Sequence, residues 1–164
     1  MTQKYTSANT SINTVNAVYK KVEFLPNTLI LDYGGGKYDS NVKYMAERGV
    51  KVLVYDPFNR SPMHNSNVLN SIKYTKPTFI VCSNVLNVIA EKSEIEKICE
   101  HISKLGGKNT DSIFAIYEGD GTNVGRATTK GYQRNQKTIQ YLPMIKKYFN
   151  HVIRNGTFIF ANNA

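Results

Sequence analysis

Residues 28–60, TLILDYGGGKYDSNVKYMAERGVKVLVYDPFNR, decide how the chain folds. Thr28 to Leu31 is an apolar run that reads as a strand. It ends in Asp32, and Gly34, Gly35 and Gly36 follow almost at once. Glycine there admits positive φ and leaves no Cβ between the backbone and whatever approaches it. Asp39 stands where it could cap a helix whose apolar positions Val42, Met45 and Ala46 share one face, and Gly49 closes that helix. A second apolar run, Val52 to Tyr55, delivers Asp56 twenty positions after Gly36. Strand, glycine turn, helix, strand and acid make a nucleotide-binding βαβ pattern, in which the acid holds ribose hydroxyls.

The kind of nucleotide follows from position 39. A dinucleotide fingerprint asks for a third glycine there, but Asp39 would place its own carboxylate at the helix N-terminus and repel a phosphate. A GxxxxGK-[ST] loop is also missing. The pattern suits an adenosine without phosphates and disfavours a dinucleotide-dependent oxidoreductase.

With 164 residues, the chain is expected to form one domain over 1–164, with a flexible polar tail over 1–10. No apolar run approaches the length of a membrane span, and the opening MTQKYTSANT does not read as a signal peptide. Cys82 and Cys99 fall in apolar patterns as core residues, which favours a reducing, cytoplasmic setting. His64, His101 and His151 have no metal-ligand spacing, so no metal site is expected. The net charge is +9, and Asp120 is the last acid. Arg126, Lys130, Arg134, Lys137, Lys146, Lys147 and Arg154 follow it, with Tyr132, Tyr141, Tyr148 and Phe149 interleaved. Such a segment suits a nucleic-acid backbone and its bases as well as it suits a solvated basic surface.

Outward from the βαβ unit, Ile12, Val15, Val18, Tyr19 and Val22 recur at helical spacing. Lys4, Tyr5, Thr6 and Ser7 of the tail could reach a bound cofactor. Residues 57–67 read as turn-rich, punctuated by Pro57 and Pro62, and 68–74 read as a short helix or as a helix leading into a weak strand. A strand over 78–82, an amphipathic helix over 91–105 and a strand over 113–117 come next. A long loop runs through 118–137, then a helix over 139–149 interrupted by Pro143, and a hairpin around Asn155-Gly156. The alternation predicts an α/β, Rossmann-like, doubly wound, mostly parallel sheet with a C-terminal antiparallel hairpin. Its crevice should lie beyond the carboxyl ends of the strands, among loops 33–39, 56–65, 83–90 and 118–137.

Asp32-x-Gly34-x-Gly36 with Asp56, then VYDPF, VCSNVLNVI, IYEGDG and the terminal hairpin, resembles the class I S-adenosylmethionine-dependent methyltransferases over residues 11–161. DPFNR, SNVLNVIAE, YEGDGxxVGR and the QxNxKT run are similar to small stand-alone methyltransferase-like proteins of phages and bacteria. The resemblance implies S-adenosylmethionine as cofactor, with Asp32 in the first motif. Tyr33, Gly34, Gly35, Gly36 and Lys37 would then lie beside the methionine half and Asp56 on the ribose. Pro57 and Phe58 would face the adenine, with Asn59 and Arg60 near the same rim, and Ser83, Asn84 and Val85 would lie under the sulfonium. One departure is that no clear strand or acid between 66 and 80 is available to read the adenine amino group. The [DN]-P-P-[YF] and Pro-Cys signatures of DNA-base enzymes are absent, which argues against covalent catalysis by Cys82.

Methyl transfer from a sulfonium needs positioning and, for some acceptors, a base. Glu118 or Asp120 could serve as that base, and Arg126, Tyr132, Gln133 and Arg134 could bind an anionic or aromatic acceptor. A nucleic acid or nucleotide is the preferred acceptor over a small metabolite. The competing class is a regulatory or counter-defence protein that binds S-adenosylmethionine or S-adenosylhomocysteine and has no acceptor.

Overall fold

The computed structural model describes residues 12–164, so the expected tail contacts at Lys4, Tyr5, Thr6 and Ser7 lie outside the described residues. In chain order come α1 (Ala17–Lys21), β1 (Leu29–Tyr33), α2 (Ser40–Ala46), β2 (Lys51–Tyr55), α3 (Pro62–Tyr74), β3 (Phe79–Ser83), α4 (Lys92–Leu105) and β4 (Asp111–Ala115). A short hairpin, β5 (Arg126–Thr128) and β6 (Gly131–Gln133), precedes α5 (Leu142–Ile145), β7 (His151–Asn155) and β8 (Phe158–Asn162).

The main sheet has the order β2-β1-β3-β4-β8-β7. Its first four strands are parallel, and the terminal hairpin joins antiparallel through β8 on β4. This is the doubly wound sheet with an antiparallel edge that the alternation predicts. The central strands β1, β3 and β4 are covered on both faces and are accordingly almost continuously apolar. Ile30, Val52, Val81 and Ile113 pack with Val18 and Tyr19 of α1 and Met45 of α2. Leu31, Ile80, Cys82 and Phe114 pack on the other face against α3, α4 and α5. The stripe Ile95, Ile98, Cys99 and Ile102 of α4 is buried throughout, each isoleucine contributing about 1.5–3 kcal/mol of burial. Both cysteines are buried and unbridged.

Several elements differ from expectation. The first helix is only five residues long, because Asn16 accepts a hydrogen bond from the Val18 amide and starts the helix there, leaving Ile12 exposed. Ala46 is exposed rather than on the buried face of α2. Pro62 does not break structure. It occupies the first turn of a 13-residue helix, with Ser61 as cap accepting from the His64 amide. β4 begins two residues early, at Asp111. The long loop contains the β5–β6 hairpin, and the last helix shrinks to a 3-10 turn (Thr138–Tyr141) followed by α5. The hairpin at Asn155-Gly156 forms as expected, with Gly156 at φ 60°.

Among the described residues no helix is long and apolar enough to cross a membrane, and no cluster of His, Cys, Asp and Glu could hold a metal ion.

Candidate functional site

Chain winding reverses between β1 and β3, since β2 lies on one side of β1 and β3 on the other. In such sheets ligands bind beyond the carboxyl ends of the strands at that reversal. Two turns meet there. The Gly34 amide donates to the Tyr55 carbonyl (2.7 Å), which ties the turn after β1 to β2. The Asn84 amide donates to the Ala115 carbonyl (2.9 Å), which ties the turn after β3 to β4. Gly34 has φ 76°, and a Cβ there would lie 2.6 Å from Val85 Cγ2, so the two turns touch where only hydrogen fits. Asn84 also takes a left-handed φ, 57°, a conformation asparagine tolerates better than most residues.

Asp32 lies beneath the glycine turn. It is 2% exposed, accepts from Asn41 Nδ2 (3.2 Å), and sits so close to Gly35 that a Cβ there would be 2.6 Å from its carboxyl carbon. Burial pushes its pKa from 3.8 up to about 6, against the hydrogen bond from Asn41 that holds it down. A raised folded-state value means the folded chain binds this proton more tightly than the unfolded chain. That stabilisation is complete below about pH 3.8 and is lost as pH rises through about 6. Asp32→Asn should therefore stabilise the unliganded protein at neutral pH, by roughly 2 kcal/mol, with the gain vanishing toward pH 4. Urea melts at both pH values measure it.

Arg60 clamps the turn from the β2 side. Its side chain is 13% exposed, donating from Nε to the Gly36 carbonyl (2.8 Å) and from Nη2 to the Tyr38 carbonyl (3.0 Å). It also pairs with Asp39 at 2.8 Å. Asp39 stands at the N-cap position of α2 but makes no side-chain cap hydrogen bond, so the expected capping carboxylate is drawn to Arg60 instead. Arg60→Ala should lower stability by about 1–3 kcal/mol and speed amide exchange over 36–39. Arg60→Lys should not rescue it, since one ammonium cannot span both carbonyls. Hydrogen exchange with a thermal melt reads both effects. Lys37 is exposed, with its ammonium 5.2 Å from the Tyr38 ring centre. The Tyr33 side chain turns to the opposite face, where its hydroxyl meets His101 Nδ1 at 2.7 Å and its ring packs on Tyr55, so only its backbone borders the turn.

Asp56 ends β2 and is 4% exposed. Oδ1 accepts from the Phe58 and Asn59 amides (2.9 and 3.0 Å), and Oδ2 accepts from the Gly36 amide and Asn59 Nδ2 (2.8 and 3.1 Å). A carboxylate offers about four lone-pair sites, and all are filled by the chain itself. Asp56, the residue expected on the ribose, is thus already engaged by the chain. It joins the glycine turn to the 56–60 turn, and a sugar hydroxyl could reach it only by displacing a donor. Asn59 Nδ2 is the side-chain donor among the four. Asn65 fixes the backbone of Asp56, accepting from its amide and donating to its carbonyl (3.0 Å each). In this turn Pro57 is exposed and Phe58 half-buried.

Beyond β3, Ser83 has a buried hydroxyl with no partner, and Asn84 is exposed. A cavity of about 400 Å³ opens between this turn, Tyr117 and the β5–β6 hairpin, with Asn84, Val88, Lys130 and Tyr132 in its walls. The hairpin is latched over it. Arg134 donates from Nη1 to the Ile89 and Ala90 carbonyls (3.0 and 2.7 Å) and from its amide to the Asn87 carbonyl (2.9 Å). Asn87, 1% exposed, donates to Gln133 Oε1 and accepts from the Tyr117 amide.

Of the four residues expected to carry chemistry, Tyr132 borders the cavity, whereas Glu118, Asp120 and Arg126 are not among its lining residues. Glu118 accepts from the Thr138 backbone amide at 2.5 Å, which holds its carboxyl below the usual range. Asp120 accepts from the Thr122 hydroxyl and amide (2.7 and 3.0 Å), which holds its carboxyl down as well. Both acids stabilise the loop, and a carboxylate made less basic is a poorer proton acceptor. Arg126 is exposed on β5.

Similarity to solved structures follows this geometry. The chain matches, with a TM-score of 0.59 and 12% identity, the Burkholderia thailandensis 1,6-didemethyltoxoflavin-N1-methyltransferase solved with 1,6-didemethyltoxoflavin and S-adenosylhomocysteine. The match covers 84% of this chain and 70% of that one. A TehB-like S-adenosylmethionine-dependent methyltransferase from Corynebacterium glutamicum matches at 0.50 and 15% identity, over 84% and 80% of the two chains. A Listeria monocytogenes S-adenosylmethionine-dependent methyltransferase matches at 0.50 and 16%, over 88% and 93%. No family model matches the sequence, and no curated protein sequence does. The chain has the Rossmann-like fold of class I S-adenosylmethionine-dependent methyltransferases. The stretch through Tyr74, where the sequence shows no clear strand, is helix α3, and β2 forms the sheet edge.

Proposed function

We propose that this protein is an S-adenosylmethionine-dependent methyltransferase, with the cofactor lying across the winding reversal and the acceptor entering the 400 Å³ cavity beside Asn84. The observation that carries this reading is the contact of the Gly34 and Val85 turns, which leaves bare backbone over Asp32 at the place where such sheets bind ligands. In this reading Gly34, Gly35, Gly36, Lys37 and the Tyr33 backbone flank the methionine half. Asp56, freed of Asn59 Nδ2, takes the sugar, Pro57 and Phe58 cover the adenine, and Ser83, Asn84 and Val85 lie under the sulfur. Bound there, the cofactor supplies a methyl group on a positively charged sulfur. The chain's part is to hold the acceptor in line with that bond and to exclude water, which is where most of the acceleration of a displacement arises. Asp32, buried with no cationic partner within salt-bridge distance among the described residues, would gain stabilisation from a cationic ligand above the turn.

A nucleotide is preferred over a long nucleic acid as acceptor. The basic third of the chain is divided: Arg134 is spent on backbone carbonyls, Lys147 on Glu96 (2.6 Å) and Arg154 on the Gly156 carbonyl. Only part of the charge is thus left for a phosphate backbone. Labelled methyl transfer into nucleotide and oligonucleotide pools, with salt varied, tests this, and label in the nucleotide pool is expected. The absence of a carboxylate from the cavity walls favours one second reading, a protein that binds S-adenosylmethionine without an acceptor. Cofactor binding with no label in any pool would select it.

A further inference from the structure

We infer that the cavity under the β5–β6 hairpin takes a planar aromatic acceptor that carries one anionic group and attacks through a lone pair already free at neutral pH; the chemistry rests on the methyl-transfer reading, the binding does not. The volume, about 400 Å³, is that of a small-molecule site rather than of a groove tracking a polymer. Two tyrosines line it, Tyr117 from just beyond β4 and Tyr132 from β6, with Val88 also in the wall, and aromatic rings beside an apolar side chain favour a flat ring. Tyr132 is seated by the backbone. A Cβ on Gly125 would lie 1.7 Å from its hydroxyl, so only glycine leaves the ring in place.

Lys130 carries the one formal charge among the lining side chains, and among the described residues no carboxylate pairs with it. Glu118 and Asp120, the acids close to it in sequence, are bound into the loop by Thr138 and Thr122. A cation without a counter-ion at the mouth of an aromatic cavity selects an anionic substituent. Asn84 and Gln133 offer neutral donors and acceptors to the edge of the ring. The lining holds neither carboxylate nor histidine, the side chains that most often withdraw a proton, which favours an acceptor that needs no deprotonation before attack. The acceptor lone pair forms the new bond to the methyl carbon as the carbon–sulfur bond breaks, and its electron pair returns to sulfur. A proton left on the methylated ring departs to solvent through the open mouth. An unprotonated ring nitrogen meets these terms, in a nucleobase bearing phosphate or in an aromatic carboxylate.

The test is calorimetric titration of the intact protein, with and without saturating S-adenosylhomocysteine. The probes are 2-naphthoate against its neutral amide, and the nucleoside 5′-monophosphates against their nucleosides. Each anionic probe is expected to bind about fivefold tighter than its neutral partner, the scale of one partly exposed ion pair. Lys130→Met should erase that preference and leave S-adenosylhomocysteine affinity unchanged. Gly125→Ala, which displaces Tyr132, should weaken both members of each pair. The family of probe that binds more tightly identifies the source, nucleotide or aromatic acid. Equal binding of charged and neutral probes, a preference that survives Lys130→Met, or tighter, steeply salt-dependent binding of a single-stranded oligonucleotide would each overturn the inference. Probe binding without S-adenosylhomocysteine binding would instead overturn the cofactor reading and leave this one standing.

Discussion

Asp56→Ala is expected to weaken S-adenosylhomocysteine binding by about a hundredfold or more and to lower stability by roughly 3–5 kcal/mol. Both effects arise from one carboxylate. Removing it leaves the amides of Gly36, Phe58 and Asn59 without the acceptor that now joins two turns of backbone. Unpaired buried donors cost about 1–3 kcal/mol each, partly recovered by water entering the gap. Native stabilities run to about 5–15 kcal/mol, so the variant should still fold at low temperature, where its affinity can be measured. Asn59→Ala separates the two roles. It removes one donor from Oδ2 and opens a lone pair, so affinity should hold or rise severalfold while the fold stays intact. If Asn59→Ala weakened binding as much as Asp56→Ala, Asn59 rather than Asp56 would be the residue that grips the sugar.

The second large effect is expected at the contact between the two turns. Gly34→Ala imposes a Cβ on a residue at φ 76° and drives it to 2.6 Å from Val85 Cγ2. Left-handed backbone costs a residue with a Cβ about 1–2 kcal/mol, and overpacking adds about 1–3. Relief of either strain would part the turns and disorder the cleft, so S-adenosylhomocysteine affinity should fall by more than about tenfold. Val85→Ala removes the colliding methyl groups. In the double variant the overpacking part should be recovered and the backbone part should remain, giving a coupling of about 1 kcal/mol or more in urea melts. Additive effects would show that the turns do not touch as described.

The architecture was legible because its signals are periodic. Strands covered on both faces tend to be apolar along their length, and LIL, FIVC and IFA are. The stripe of α4 repeats at helical spacing, and Asn155-Gly156 is a strong hairpin signal. What escaped has no periodic signature. β5 and β6 are three residues each and bury almost nothing, so the segment reads as loop. Arg134 and Arg60 read as charges available to a ligand, whereas both are spent on carbonyls of residues distant in sequence. Ser61-Pro62 was a usable start signal for α3 that the turn-rich composition around it obscured. At Asp56 the spacing gave the position but not the engagement of the carboxylate. Asp-x-x-Asn in a turn is a local hydrogen-bonding pattern, and its asparagine and backbone amides occupy the oxygens. Among the chemical candidates, glycines and acids around a loop suggested catalysis, yet Glu118 and Asp120 hold the loop's shape.

Isothermal calorimetry of the intact chain with S-adenosylhomocysteine and with NAD tests the central claim, that the reversal between β1 and β3 binds a phosphate-free adenosine. The expected result is saturable one-to-one binding of S-adenosylhomocysteine, none of NAD, and loss of the signal in Asp56→Ala while far-ultraviolet dichroism shows the fold retained. Absence of binding to the wild-type chain, or binding that Asp56→Ala leaves undiminished, would contradict it.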